Sequence, residues 1–231
     1  MFNGIAEFLY TVVEKLQGFI SNIGITDIGV SYVLSVLLLT LIIRLLILPL
    51  NIKSMKSTAK MQEIQPELKK IQTKYKNNPE KLQQETVKLY KENNVSMTGG
   101  CLPMIIQMPI LFALYGAFMK ITAVEGQSFL WIADLSKKDP SFILPVLAAA
   151  LTYLSTVYST KANSASASQA PGTPNMGSMN IAMSVMIGVS AINFRSLLVL
   201  YWIMGSVIQI IQTYVIVTLP KKRKEKQAQI S

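Results

Sequence analysis

The sequence has no histidine and one cysteine, Cys101, and only 15% of its 231 residues are charged. Without an imidazole there is no His-dependent triad, and a lone cysteine can neither close a disulfide within the chain nor complete a Cys/His metal cage. A glycine-rich phosphate loop ending in GK is also missing, so nucleotide-driven chemistry has no cradle. These absences predict a protein that is not an enzyme, with no cofactor and no metal. Cys101 reads as a small buried apolar residue rather than a reactive thiol. Hydrophobic residues make up 51% of the chain, too many for an average soluble domain. The composition predicts an all-α, polytopic membrane protein.

The stretch from Ser31 to Leu50, SYVLSVLLLTLIIRLLILPL, organises the rest. Roughly twenty apolar residues at a rise of about 1.5 Å match a hydrocarbon core of about 30 Å. One charge, Arg44, lies inside it, too deep for easy snorkelling. Such a charge costs about 2.5 to 3.5 kcal/mol at mid-span and normally faces water or a polar partner. No other charge lies deep in an apolar segment, which favours a wet cavity over a buried ion pair.

Around this span the chain divides by composition. Residues 1–27 carry apolar side chains at helical spacing (Phe2, Ile5, Leu9, Val12, Val13, Leu16) with Glu7, Glu14 and Lys15 between them, predicting an interfacial amphipathic helix and not a cleaved signal. The first span covers 28–50. Residues 51–101 turn to lysine, glutamine and glutamate over a narrow apolar stripe, and Asn78-Pro79 supplies an N-cap and a first helical residue for a second arm. This predicts a helical hairpin outside the membrane. Further spans follow at 102–121, which holds Pro103, Gln107 and Pro109, and at 142–160, 178–194 and 197–219. Between them lie a polar loop, 122–141, with Trp131 as an interfacial anchor, and a Ser/Ala/Gly/Pro segment, 161–177, with no means of burying a core. A basic tail, 220–231, ends the chain.

Five spans place the termini on opposite sides. Of the 22 Lys and Arg, sixteen fall in 51–101, 161–177 and the tail, and five on the other side. An excess of basic residues marks the cytosolic face, so the hairpin and tail are expected inside and the N-terminus outside. Measured inward from the cytosolic ends, Arg44, Gln107, Ser155, Ser184 and Gln212 then share one depth, one from each span. Thr40 sits one turn from Arg44, and Trp202, Ser206, Gln209 and Thr213 share a face of the last span. Polar lining on the inner half only does not suit a through-pore. Serine and threonine can also bond their own helix or join helices. That alternative stands for each residue singly.

The runs IIRLLILPLNIKSMKSTAKMQEIQPELKKIQTKYKNNPEKLQQETVKLYKENN, GGCLPMIIQMPILFALY and NFRSLLVLYWIMGSVIQIIQTY resemble the core pattern of the YidC membrane insertases over nearly all of residues 30–220. The resemblance implies a five-span core with a positively charged groove, open to cytosol and lipid and closed outside, that draws in the polar flank of a nascent span. Arg44 matches the family's groove arginine, Thr40 its polar neighbour, and Trp202 the aromatic of its L-Y-W/Y motif. Gln107, Ser155, Ser184, Gln209 and Gln212 would complete the groove. The chain departs from the pattern in three places. Ser155 stands where relatives often have glutamine, no lipoprotein signal is evident, and Val95-Ser96-Met97-Thr98 replaces a common Asn-Pro pair.

The implied partners are nascent membrane proteins, the ribosome through the basic hairpin and tail, and anionic lipids, with a Sec translocon as a further candidate. The expected location is the bacterial cell membrane. Two other functions compete: a membrane-anchored ribosome or RNA tether that works through its lysines, and a small solute channel or transporter with Arg44 as an anion site.

Overall fold

The Asp27 carboxylate accepts the Val30 N–H at 2.8 Å and so starts the helix that carries the arginine, in the manner of an N-cap. This is α2, Ile28–Leu46. It stops at Ile47 because Pro49 has no N–H to continue the ladder; the N–H groups of Leu50 and Asn51 turn back to Ile47 O. The computed structural model describes residues 2–94, 102–163, 176–220, 223 and 227. Before α2 comes α1, Phe2–Asn22. After it come α3, Leu48–Glu63, α4, Gln65–Lys74, α5, Pro79–Glu92, α6, Leu102–Lys120, α7, Ile143–Asn163, α8, Met176–Ala191, and α9, Ser196–Thr213, which runs into a π-helical turn, Tyr214–Thr218. The elements are helices throughout the described residues.

Helix α9 is the hub: it packs against α2, α6 and α7, while α8 packs on α7, and α1 lies on α2 and α6. One end of this bundle carries the 121–142 connection and the α8–α9 turn, and we call it the loop end. The other carries α3 to α5, and we call it the hairpin end. The largest cluster of buried side chains occupies the loop end. It takes Tyr32, Val33, Val36 and Leu39 from α2, Leu114 and Phe118 from α6, Leu144 and Ala148 from α7, and residues 197–201 from α9. A smaller cluster of Ile64, Leu68 and Leu89 joins α4 to α5. Helix α5 begins as expected from its residues, with Asn78 Oδ1 accepting the Lys81 N–H at 3.1 Å and Pro79 as first residue.

The connection between α6 and α7 differs from the expectation of a merely polar loop. Ile121, Val124, Ile132 and Leu135 are all buried in the main core, and the backbone joins the loop to α9: Ser196 N–H donates to Lys137 O at 2.8 Å and Leu197 N–H to Leu135 O at 3.2 Å. These carbonyls satisfy N–H groups that a helix start leaves open. Burial opposes the charge on Asp139, but the Ser141 hydroxyl, the Leu144 and Ser141 N–H groups and the Trp131 side chain outweigh it and hold this carboxyl below its usual range. Asp139 thereby ties the loop tip to the start of α7. Burial likewise opposes the charge on Asp134, and hydrogen bonds from Ser136, Lys137 and the Gly126 N–H bring it down to about 2. Gly29 lets α2 meet this loop, since a Cβ there would stand 2.2 Å from Ser128 O.

Three elements differ from the sequence reading. The change of composition at Asn51 lies inside α3, which begins at Leu48 and packs against α2, α6 and α7. Helix α1 buries Ala6, Leu9, Val13 and Ile20 and is fastened by Glu14 to the Tyr32 hydroxyl, Gln17 to Ser31, and Lys120 to Glu7. Its apolar stripe therefore meets protein, while Phe8 and Phe19 remain exposed. The last span divides into α9 and the π turn. Among the described residues, Ile28–Leu46, Ile143–Ala162 and Ser196–Thr218 are long and apolar enough to cross a membrane, and Asn180–Ala191 is a shorter apolar helix. Cys101, the 95–98 departure, most of the Ser/Ala/Gly/Pro segment and most of the tail lie outside the described residues.

Candidate functional site

Arg44 stands where the core runs out. On α2 the buried positions end at Thr40; beyond it Leu41, Ile42, Leu45 and Leu46 are exposed, Leu46 at 73%. On α6, Ala113, Leu114, Ala117 and Phe118 are buried, whereas 107–112, nearer the hairpin end, are half-buried or exposed. On α9, residues 196–201 are buried without interruption, and burial then becomes intermittent. Three helices thus loosen at one level.

At that level the half-buried guanidinium of Arg44 donates from Nη2 to the carbonyl of Gly205 on α9, at 3.0 Å. A backbone carbonyl has a second lone pair beyond the one used in its helix, so α9 can accept the bond without breaking its ladder. A Cβ at 205 would lie 3.2 Å from Nη2. One turn earlier on the same face, the buried Tyr201 hydroxyl accepts from Gln107 Nε2 of α6 at 3.0 Å, and its ring meets Phe118 edge-on at 6.3 Å. Residues of α2, α6 and α9 therefore meet in one polar cluster.

The other sequence-selected residues take different places. Thr40 is buried and donates to Val36 O of its own helix at 2.6 Å. Ser155 donates to Thr152 O at 2.9 Å, and Ser184 to Asn180 O at 2.7 Å. Thr152 and Ser206 meet across α7 and α9 at 3.4 Å. Trp202 packs edge-on against Phe194 at 5.4 Å, and Phe194 against Tyr115 at 5.7 Å, an aromatic group at the loop end. Gln209 and Gln212 are half-buried, and Gln209 O accepts from the buried Thr213 hydroxyl. Of the eight residues, Arg44 and Gln107 belong to the polar cluster by the bonds described.

Sequence reasoning missed Gly205 and Tyr201. The signal for Tyr201 was present: it is a polar-tipped residue four positions before a glycine, hence on the same face. Gly205 carries no chemical signal alone. Its importance comes from an arginine 161 positions away.

Comparison with known proteins gives these geometries a context. Residues 24–224 match the family model described as 60Kd inner membrane protein. The chain is 54% identical over 220 residues to the membrane protein insertase YidC of Clostridium perfringens, covering 95% of this chain and 92% of that protein. It is 43% identical over 192 residues to the membrane protein insertase MisCA of Bacillus subtilis, covering 81% and 71%. A crystal structure of an active YidC insertase with its first transmembrane domain resolved superposes with a TM-score of 0.63 at 29% identity, covering 88% of this chain. This chain spans 46% of the length of that one.

Proposed function

The chain belongs to the YidC family of membrane protein insertases, and from that footing we propose that it receives nascent transmembrane segments in a hydrophilic groove built around Arg44. It is a bacterial membrane protein, and its work is the insertion of nascent membrane proteins. The five spans are α2, α6, α7, α8 and α9 with its π turn. The hairpin end faces the cytosol, in keeping with the sixteen basic residues on that side, and the loop end closes the outside.

The observation that carries the groove is the Arg44 guanidinium on the Gly205 carbonyl at the level where packing stops. A cation in a poorly solvated vestibule attracts acidic and polar flanks of a substrate more strongly than it would in bulk water. A wetted inner half shortens the apolar distance that flank must cross. The substrate's hydrophobic stretch then gains about 25 cal/mol per Å² on entering lipid. Burial drives the step without ATP, and the groove lowers its barrier. Basic residues of the hairpin and tail engage ribosome and anionic lipid through salt-sensitive contacts, and a Sec translocon would act alongside.

The test is insertion of a single-span substrate with a short acidic outer tail into vesicles containing Arg44→Ala or Arg44→Lys protein. Insertion should collapse with alanine and survive largely with lysine. Normal activity of Arg44→Ala would remove the groove from the mechanism and point to a lysine-based tether. Solute leakage in place of insertion would indicate a channel.

A further inference from the structure

Gly205 sits opposite the one charge in the membrane region of α2, and the space it leaves is filled by that charge's own side chain. The rotation of α9 is fixed one turn away, where Tyr201 is buried, bonded to Gln107 and edge-on to Phe118. That setting turns the backbone at 205 toward α2. With no Cβ in the way, the guanidinium reaches a main-chain carbonyl instead of lying along the helix surface. The Gly205 carbonyl takes one Nη2 N–H, and a guanidinium carries five such donors in a fixed plane, so the bond sets that plane and leaves others to donate. A guanidinium held at one nitrogen is pre-oriented to offer its other N–H groups to a carboxylate, and less side-chain entropy is then lost on binding.

We propose that Gly205 is a positioning residue for the groove: its missing side chain lets the α9 carbonyl hold Arg44 at a fixed height and angle, and so sets how strongly acidic flanks of a substrate are preferred over neutral ones. This rests on the groove reading given above. Ordinary helix packing by a small residue is the competing role, and it makes a different prediction. A packing glycine affects all substrates alike, whereas a glycine that aims Arg44 affects those that use the arginine.

The experiment is a double-mutant cycle between positions 44 and 205 in vesicles, with two substrates that differ only in an acidic or a neutral outer tail. Gly205→Val should lower the ratio of acidic-tail to neutral-tail insertion about tenfold, the loss expected when a charge-assisted contact goes. In an Arg44→Ala background Gly205→Val should have no added effect. Gly205→Ala, whose Cβ asks the guanidinium to give by a few tenths of an ångström, should show the same selectivity change in smaller degree and covers the case in which valine prevents folding. Equal loss for both tails, or a valine effect that adds to Arg44→Ala, would overturn the proposal. The Arg44→Ala arm is read separately: a deficient Arg44→Ala with an unaffected Gly205→Val sinks the role of the glycine alone, while an unaffected Arg44→Ala sinks the groove itself.

Discussion

The two ends of the bundle use the same helices in opposite ways. At the loop end α2, α6, α7 and α9 bury large side chains against one another and against the 121–142 connection, and that connection is bonded to the helix starts through backbone and carboxylates. Toward the hairpin end the same α2 and α6 expose their apolar residues, and α9 buries only scattered ones. Both halves are apolar in sequence, so hydrophobicity does not distinguish them. What differs is whether side chains find protein or are left to lipid and water. In a membrane, where lipid tails are as apolar as leucine, close packing and satisfied polar groups hold helices together. The loop end has both. The hairpin end lacks the first, which leaves room for a polar cluster around Arg44.

The comparison breaks most directly by truncating one side chain in each half. Phe118→Ala removes a fully buried ring from the loop end and should cost on the order of 3 kcal/mol, read as a fall in detergent-solubilised melting temperature. Leu46→Ala, at a position 73% exposed, should leave that temperature nearly unchanged. Equal effects would mean that the halves are packed alike. Next in size is Gly29→Ala, which sets a Cβ 2.2 Å from a loop carbonyl and should destabilise by about 2 kcal/mol or more. Gly18→Ala, with nothing within 4 Å, should be neutral or stabilising by up to about 1 kcal/mol.

Asp139→Asn weakens the cap on α7 and should cost about 1 kcal/mol, as loss of a charged cap does. Acidity gives the smallest effect near neutrality and sharpens the contrast. Asp134 and Asp139 have depressed folded-state values, so their contribution is fully present above the ordinary carboxylate range near 4 and is lost as pH falls through about 2, the value for Asp134. Melting of the loop end should therefore be flat from pH 7 to about pH 5 and decline below about pH 4. Asp134→Asn should flatten that decline; an unchanged acid limb would mean that Asp134 does not hold the loop.

Much of the helical layout was legible because its signals are local. Asn78 is a cap with an immediate partner, Pro49 ends a ladder, and Arg44 is conspicuous by being alone. The rest depends on what comes near in space. Nothing in the sequence says that Ile121, Val124, Ile132 and Leu135 face inward among polar neighbours, because their core is supplied by other helices. The hydroxyls of Ser155 and Ser184 share a depth with Arg44 in sequence and that of Thr40 lies one turn away, yet each donates to its own helix. Helical phase cannot foretell that choice, since a serine has a backbone acceptor within reach wherever it points.

The joint between the loop and α9 runs from amide to carbonyl, Ser196 to Lys137 and Leu197 to Leu135. Being made of peptide groups, these two bonds do not themselves require particular side chains at 135 and 137, but they depend on the number of residues that separates the two carbonyls. Descendants of this chain can therefore change letters at that joint more safely than they can insert or delete one of them.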